Sequence, residues 1–124
     1  MDIILASTSP YRQRLLKRLQ LPFQCHSPAV DETRLPGEPP ARMAARLALA
    51  KARSVAANYP DALVIGSDQV AALDERVMGK PGSYEAARAQ LKASAGRVVS
   101  FYTGVALCRA RDALEPVSYT HLRA

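Results

Sequence analysis

The sequence predicts a single α/β domain built on a mixed sheet. Three observations carry that expectation. Apolar, β-branched runs alternate with stretches whose apolar residues recur at helical spacing, in the order β-α-β-α-β-β-α-β. Capping and turn residues stand at each change of period. Hydrophobic residues make up 48% and charged residues 23% of the 124 positions, which is globular and not disordered. A chain of this length buries roughly two-thirds of its unfolded surface, enough for one core.

Residues 2–6 (DIILA) read as a short buried strand. Ser9 is a good N-cap and Pro10 suits the first helical position, so a helix starts there. Leu15, Leu16 and Leu19 give it an apolar face, expected in the core, to about Gln20, and Pro22 closes it. Phe23 to Ser27 is a plausible second strand, and the prolines between 28 and 40 make a loop that contains Asp31 and Glu32. Met43, Leu47 and Val55 place a second helix over 41–58. Asp61 to Asp68 reads as a strand that ends at Asp68 and resumes, after a small break, from Gln69 to Leu73. Val77-Met78 begins a hairpin return, and Gly79-Lys80-Pro81-Gly82 is a loop. Ser83 caps a third helix that Gly96 stops, and Arg97 to Leu107 is a long β-rich run.

Several function classes are excluded. No apolar run approaches the ~20 residues of a membrane span. Met1-Asp2-Ile3-Ile4-Leu5-Ala6 lacks the basic start of a secretory signal. Cys25 and Cys108 have neither CxxC spacing nor a nearby histidine pair, so no disulfide framework or zinc site is indicated and the cytoplasm is the default compartment. Neither His26 nor His121 follows a nucleophile motif, which argues against a Ser-His-Asp triad. The net charge of +6 fits a solvated helix face, a polyanionic small ligand or nucleic acid. Aromatics at 6% put nucleic acid last.

Four places can carry chemistry. The Ser7-Thr8-Ser9 junction either caps the helix or binds an anion through free N–H groups, with Arg12 one turn away to fork onto phosphate. Asp68 is either a turn residue or a carboxylate able to hold a divalent metal or accept a proton from water; Glu32 is a second carboxylate that can share the metal. Lys80 sits on a Gly/Pro-stiffened loop that is no Walker A sequence, yet can supply a point charge to phosphate. Lys51, one turn after Leu47, is snorkelling or aimed at an anion.

The ordered set of Leu5-Ala6-Ser7-Thr8-Ser9-Pro10-Tyr11-Arg12, Val30-Asp31-Glu32-Thr33, Lys51-Ala52, Ile65-Gly66-Ser67-Asp68-Gln69-Val70, Gly79-Lys80-Pro81 and Phe101-Tyr102-Thr103-Gly104 resembles the Maf family of nucleoside triphosphate pyrophosphatases. It is most similar to the YceF-type branch, which the resemblance connects with 7-methyl-GTP. The resemblance implies a Maf/ITPase-like fold and hydrolysis between the α- and β-phosphates, giving the monophosphate and pyrophosphate. It implies Asp68 as proton acceptor, Glu32 and Asp68 near a divalent cation (Mg or Mn), and Ser7, Ser9, Arg12, Lys51 and Lys80 on the phosphates. Tyr11 and Gln69 fall where the family sets base specificity; Tyr11 replaces the tryptophan of this branch and keeps an aromatic face. The other readings are dTTP/UTP hydrolysis, and a nucleotide-binding regulator of septum formation without turnover. The nucleotide is the expected partner, with neither nucleic acid nor membrane, and the full-length protein is a candidate homodimer.

The same resemblance implies a longer domain than these residues supply. Residues 1–116 are expected to be the N-terminal part of one C-terminally truncated domain, and 117–124, which show no capping signal or periodicity, a non-native tail. A chain so shortened is expected to turn over little nucleotide.

Overall fold

The computed structural model describes residues 2–74, 76–78 and 84–123. Among these, six strands form one mixed sheet in the order β2-β1-β3-β5-β6, with β4 on the end of β3. Strand β1 (Ile3–Leu5) pairs in parallel with β2 (Gln24–Cys25) and with β3 (Leu63–Leu73). Antiparallel pairing then adds β4 (Arg76–Val77) and β5 (Val99–Cys108) to β3, and β6 (Val117–Arg123) to β5.

Helix α1 (Pro10–Lys17) starts as its sequence dictates. Ser9 has extended backbone angles, its hydroxyl accepts the Arg12 N–H at 3.4 Å, and Pro10 takes the first position. It ends at Lys17, short of the expected Gln20. Arg18, Leu19 and Gln20 donate to carbonyls three residues back, tightening the chain until Gln20 turns to φ 58°. The expectation that its leucines are core is not met: α1 buries none of its residues, and Leu15 and Leu19 are 41% and 61% exposed. Helical periodicity marks an apolar face but not what lies against it.

The core belongs to α2 (Pro40–Ala56). Ala44, Ala48 and Ala52, four residues apart, are fully buried, and they let the helix backbone descend onto Gly66 of β3 and Gly104 of β5. A Cβ on Gly66 would lie 2.0 Å from the Ala48 carbonyl oxygen, and one on Gly104 2.3 Å from that of Ala44. Two apolar clusters flank this crossing. Ile4, Ala6, Val55, Val64 and Ala106 fill one end, and Met43, Leu47, Val70, Ala72 and Tyr102 the other.

Strand β3 runs without the expected break. Its ladder to β5 is continuous from Val64↔Cys108 to Leu73↔Val99, so Asp68, opposite Gly104, sits in mid-strand and not at a strand end. The charge that suggested a break is accommodated because Asp68 alternates onto the α2 face, between the two clusters, where a cation meets it.

Residues 109–116 turn as a hairpin, through a short 3₁₀ segment (Ala110–Asp112) and Ala113 at φ 54°. Glu115 pairs with Arg53 of α2. No element was expected beyond it, yet β6 pairs along β5 from Ala106↔Val117 to Ser100↔Arg123, and His121 stacks on Tyr102 with centroids 4.2 Å apart. Backbone pairing on an open strand edge needs no side-chain periodicity. Helix α3 (Tyr84–Ser94) carries Glu85 in its first turn and is followed by Gly96 at φ 70°. The proposed Ser83 cap and the Gly79–Gly82 loop lie outside the described residues.

Candidate active site

Three elements converge on one place. Strand β1 stops at Leu5, paired with Ile65, whereas β3 continues; Asp68 therefore lies just past the end of its parallel neighbour. The α1 N-terminus follows β1 at the same edge. Over it lies α2, where Met43, Leu47 and Lys51 form a stripe at four-residue spacing beside the alanines. The first two enter the second apolar cluster, and Lys51 extends the stripe to Asp68.

The Lys51 ammonium is shared between two carboxylates. Its Nζ lies 2.7 Å from Asp68 Oδ1 and 2.9 Å from a Glu32 oxygen. The two bonds differ in setting: the Asp68 side chain is 9% exposed and that of Glu32 is 50% exposed. The inner pair is desolvated and depends on its partner, whereas Glu32 stands at the rim. Of the two readings left open for Lys51, simple snorkelling does not describe it, because its ammonium is paired with both carboxylates while it also lines the polar cavity.

Two cavities meet at Glu32. One, of about 250 Å³, is polar: Ser7, Thr8, Ser9, Arg12, Ser27, Glu32 and Lys51 line it. Ser9 caps α1 and Ser7 Oγ accepts the Ser9 N–H at 3.0 Å, so both hydroxyl oxygens accept while their protons stay available to an anion. The positive end of α1 and the Arg12 guanidinium add to that preference. The other cavity, of about 300 Å³, is mostly apolar, with Met43, Leu47, Val70, Val77 and Met78 around Asp68 and Gln69.

Glu32 is held by a device that the sequence did not reveal. Buried Glu38 takes two bonds from Arg46, Nε at 2.6 Å and Nη2 at 3.0 Å, and a third from the Leu35 N–H at 3.2 Å. Arg46 also donates to the Thr33 carbonyl at 3.1 Å. The loop is thus tied to α2 on both sides of its turn, next to Glu32. The Arg46 fork holds the Glu38 carboxyl below the ordinary glutamate range, against the opposing effect of burial. Thr33 in turn donates to Asp31 and lowers its pKa.

The structure therefore brings together Ser7, Ser9, Arg12, Glu32, Lys51 and Asp68. Gln69 borders the apolar cavity, but its side chain alternates to the other face of β3 and its amide reaches Thr103 Oγ1 at 3.5 Å. Tyr11 is 64% exposed and lines neither cavity. Lys80 lies outside the described residues. Ser27 and the Glu38–Arg46 pair are additions; eight residues separate the last two, and no motif linked them.

Comparison with known proteins gives the site its context. The model of the Maf-like protein family matches residues 2–123. A protein of Polaromonas sp. named 7-methyl-GTP pyrophosphatase is 54% identical over 121 residues, 98% of this chain and 55% of that protein. One of Xanthomonas axonopodis pv. citri with the same name is 52% identical over 98% of this chain and 64% of that protein. This chain thus spans between half and two-thirds of the length of these curated relatives. The Staphylococcus aureus Ham1 protein shares the fold, with a TM-score of 0.69 over 99% of this chain and 70% of that one at 17% identity. The mixed α/β architecture expected from the sequence is thereby met. With that family model matched over residues 2–123, the chain belongs to the Maf family.

Proposed function

We propose that this chain carries the catalytic part of a nucleoside triphosphate pyrophosphatase that hydrolyses 7-methyl-GTP to its monophosphate and pyrophosphate in the cytoplasm. The observation that carries the reading is the Lys51 ammonium between Glu32 and Asp68 at the mouth of a polar cavity edged by Ser7, Ser9 and Arg12. The names of the Polaromonas and Xanthomonas relatives supply the substrate.

In this reading the triphosphate lies in the polar cavity. The Arg12 guanidinium and the serine hydroxyls bind its oxygens, and Lys80 adds a further charge. A water attacks the α-phosphorus, the bond from that phosphorus to the α–β bridging oxygen breaks, and pyrophosphate leaves with the electron pair. Asp68 takes the proton of the attacking water at its carboxylate. The donor set, two carboxylates that share the Lys51 ammonium, fits a hard divalent cation such as Mg²⁺ or Mn²⁺. Glu32 and Asp68 would hold that ion, which when bound neutralises charge developing on the phosphates. By the family resemblance Tyr11 and Gln69 are assigned to the base in this proposal, which requires both side chains to turn toward the cavities from where they now lie.

The test is product analysis over a panel of 7-methyl-GTP, GTP, dTTP and UTP. It uses the chain itself and a graft in which the chain replaces the matched segment of the Polaromonas protein. Release of pyrophosphate and monophosphate, with 7-methyl-GTP preferred in the graft, is the expected result. The 124-residue chain alone is expected to turn over far more slowly. Orthophosphate as product, or a folded graft that releases no pyrophosphate, rejects the reading.

A further inference from the structure

Lys51 is engaged more tightly than a phosphate ligand needs to be. Its ammonium satisfies two carboxylates at once, and its residue is buried beside the fully buried Ala52. Two carboxylates and one ammonium leave a net charge of −1. A divalent cation added to that set sits beside an ammonium in a partly desolvated pocket, where like charges repel strongly. Among the described residues no group of three or more His, Cys, Asp or Glu side chains gathers to hold a metal ion, so Glu32 and Asp68 are the carboxylates the cation would share with the ammonium.

The side chain has a second place to go. Lys51 also lines the polar cavity with Ser7, Ser9 and Arg12, so an anion bound there lies within the reach of its flexible stem. The helix that carries it is fixed by its contacts with Gly66 and Gly104, leaving the side chain as the moving part.

We propose that Lys51 is the resident counter-ion of the Glu32–Asp68 pair, so that a divalent cation joins the site only together with a polyphosphate that draws the ammonium away. The inference rests on the pyrophosphatase reading for the identity of the anion. Metal and polyphosphate then bind cooperatively, each raising the affinity for the other by the same factor.

The experiment measures Mn²⁺ binding by calorimetry to the 124-residue chain and to Lys51→Gln and Lys51→Met, with and without inorganic tripolyphosphate. For Mn²⁺ alone, both variants are expected to bind at least about tenfold more tightly than the parent. Tripolyphosphate is expected to raise parent affinity for Mn²⁺ beyond what the free complex explains. Equal Mn²⁺ affinity of parent and variants overturns the proposal. Removing an ammonium between two carboxylates risks unfolding, so a second measurement follows the ¹⁵N resonance of Lys51 Nζ in the parent. Mg²⁺ alone is expected to leave it in place, and Mg²⁺ with tripolyphosphate to shift it. A shift with Mg²⁺ alone, or none with the mixture, overturns the proposal. These results are separate from the graft's turnover: metal coupling that fails beside intact hydrolysis rejects only the role of Lys51, and the reverse rejects only the activity.

Discussion

Replacing Gly66 by alanine places a methyl carbon where α2 runs. That carbon would lie 2.0 Å from the Ala48 carbonyl oxygen, 2.8 Å from the Ala52 nitrogen and 2.9 Å from the Ala52 Cβ. Ordinary contact begins at 3.4 Å, so α2 must retreat by about 1.4 Å. None of the three atoms is the end of a flexible side chain, and no rotamer change relieves the clash. Overpacking costs typically 1–3 kcal/mol, and a clash against backbone belongs at the top of that range, about 3 kcal/mol. With a urea dependence of about 2 kcal/mol/M, the unfolding midpoint followed by circular dichroism should fall by about 1.5 M. The retreat also lengthens the Lys51–Asp68 contact, because Lys51 adjoins Ala52 and Asp68 is two residues beyond Gly66. Gly37→Ala is the control. Gly37 has φ 70° and open space around its Cβ position, so only backbone strain of about 1 kcal/mol is expected. A Gly66→Ala midpoint within about 0.2 M of the parent would refute the close crossing of α2 and β3.

Two further outcomes are expected. Arg12→Ala should weaken binding of a non-hydrolysable nucleotide by the loss of one charge-assisted contact, about 1.5–3 kcal/mol; unchanged affinity by calorimetry would leave Arg12 a solvated charge. The Glu38 carboxyl is depressed by the Arg46 fork from its ordinary value of 4.5, so its contribution is fully present above that pH and is lost as pH falls through the lower folded-state value. Glu38→Gln should therefore cost about 2 kcal/mol at pH 7 and flatten the loss of stability below pH 4.5, and urea midpoints across pH 3–7 that run parallel to the parent would contradict this.

Local signals in the sequence located what is local. The Ser9-Pro10 start of α1 and the Met43, Leu47, Lys51 spacing of α2 read correctly because capping and period are properties of neighbouring residues. Lys51 stood on a partly apolar stripe, and its engagement with Asp68, 17 residues away, required the tertiary crossing that Gly66 and Gly104 permit. The same limit explains the misplaced end of β3. A charged residue inside an apolar run looks like a terminus until a buried counter-ion is seen. The leucines of α1 show the converse: their pattern is helical, but the α2 face of the sheet is filled by the alanines of α2. Strand β6 shows no clear periodicity in the sequence, and the open edge of β5 recruits it through backbone hydrogen bonds.

The central claim, that Asp68 performs the proton transfer of nucleotide hydrolysis, is tested most directly by Asp68→Asn in the graft with the Polaromonas protein. Pyrophosphate release from 7-methyl-GTP and calorimetric binding of a non-hydrolysable analogue are measured side by side. Asparagine keeps the shape and a hydrogen bond to Lys51 but cannot take a proton. The account predicts that turnover falls by about 100-fold or more, as removal of a general base does, while affinity for the analogue measured without divalent metal stays within a few-fold of the parent. Turnover within a few-fold of the parent would contradict it.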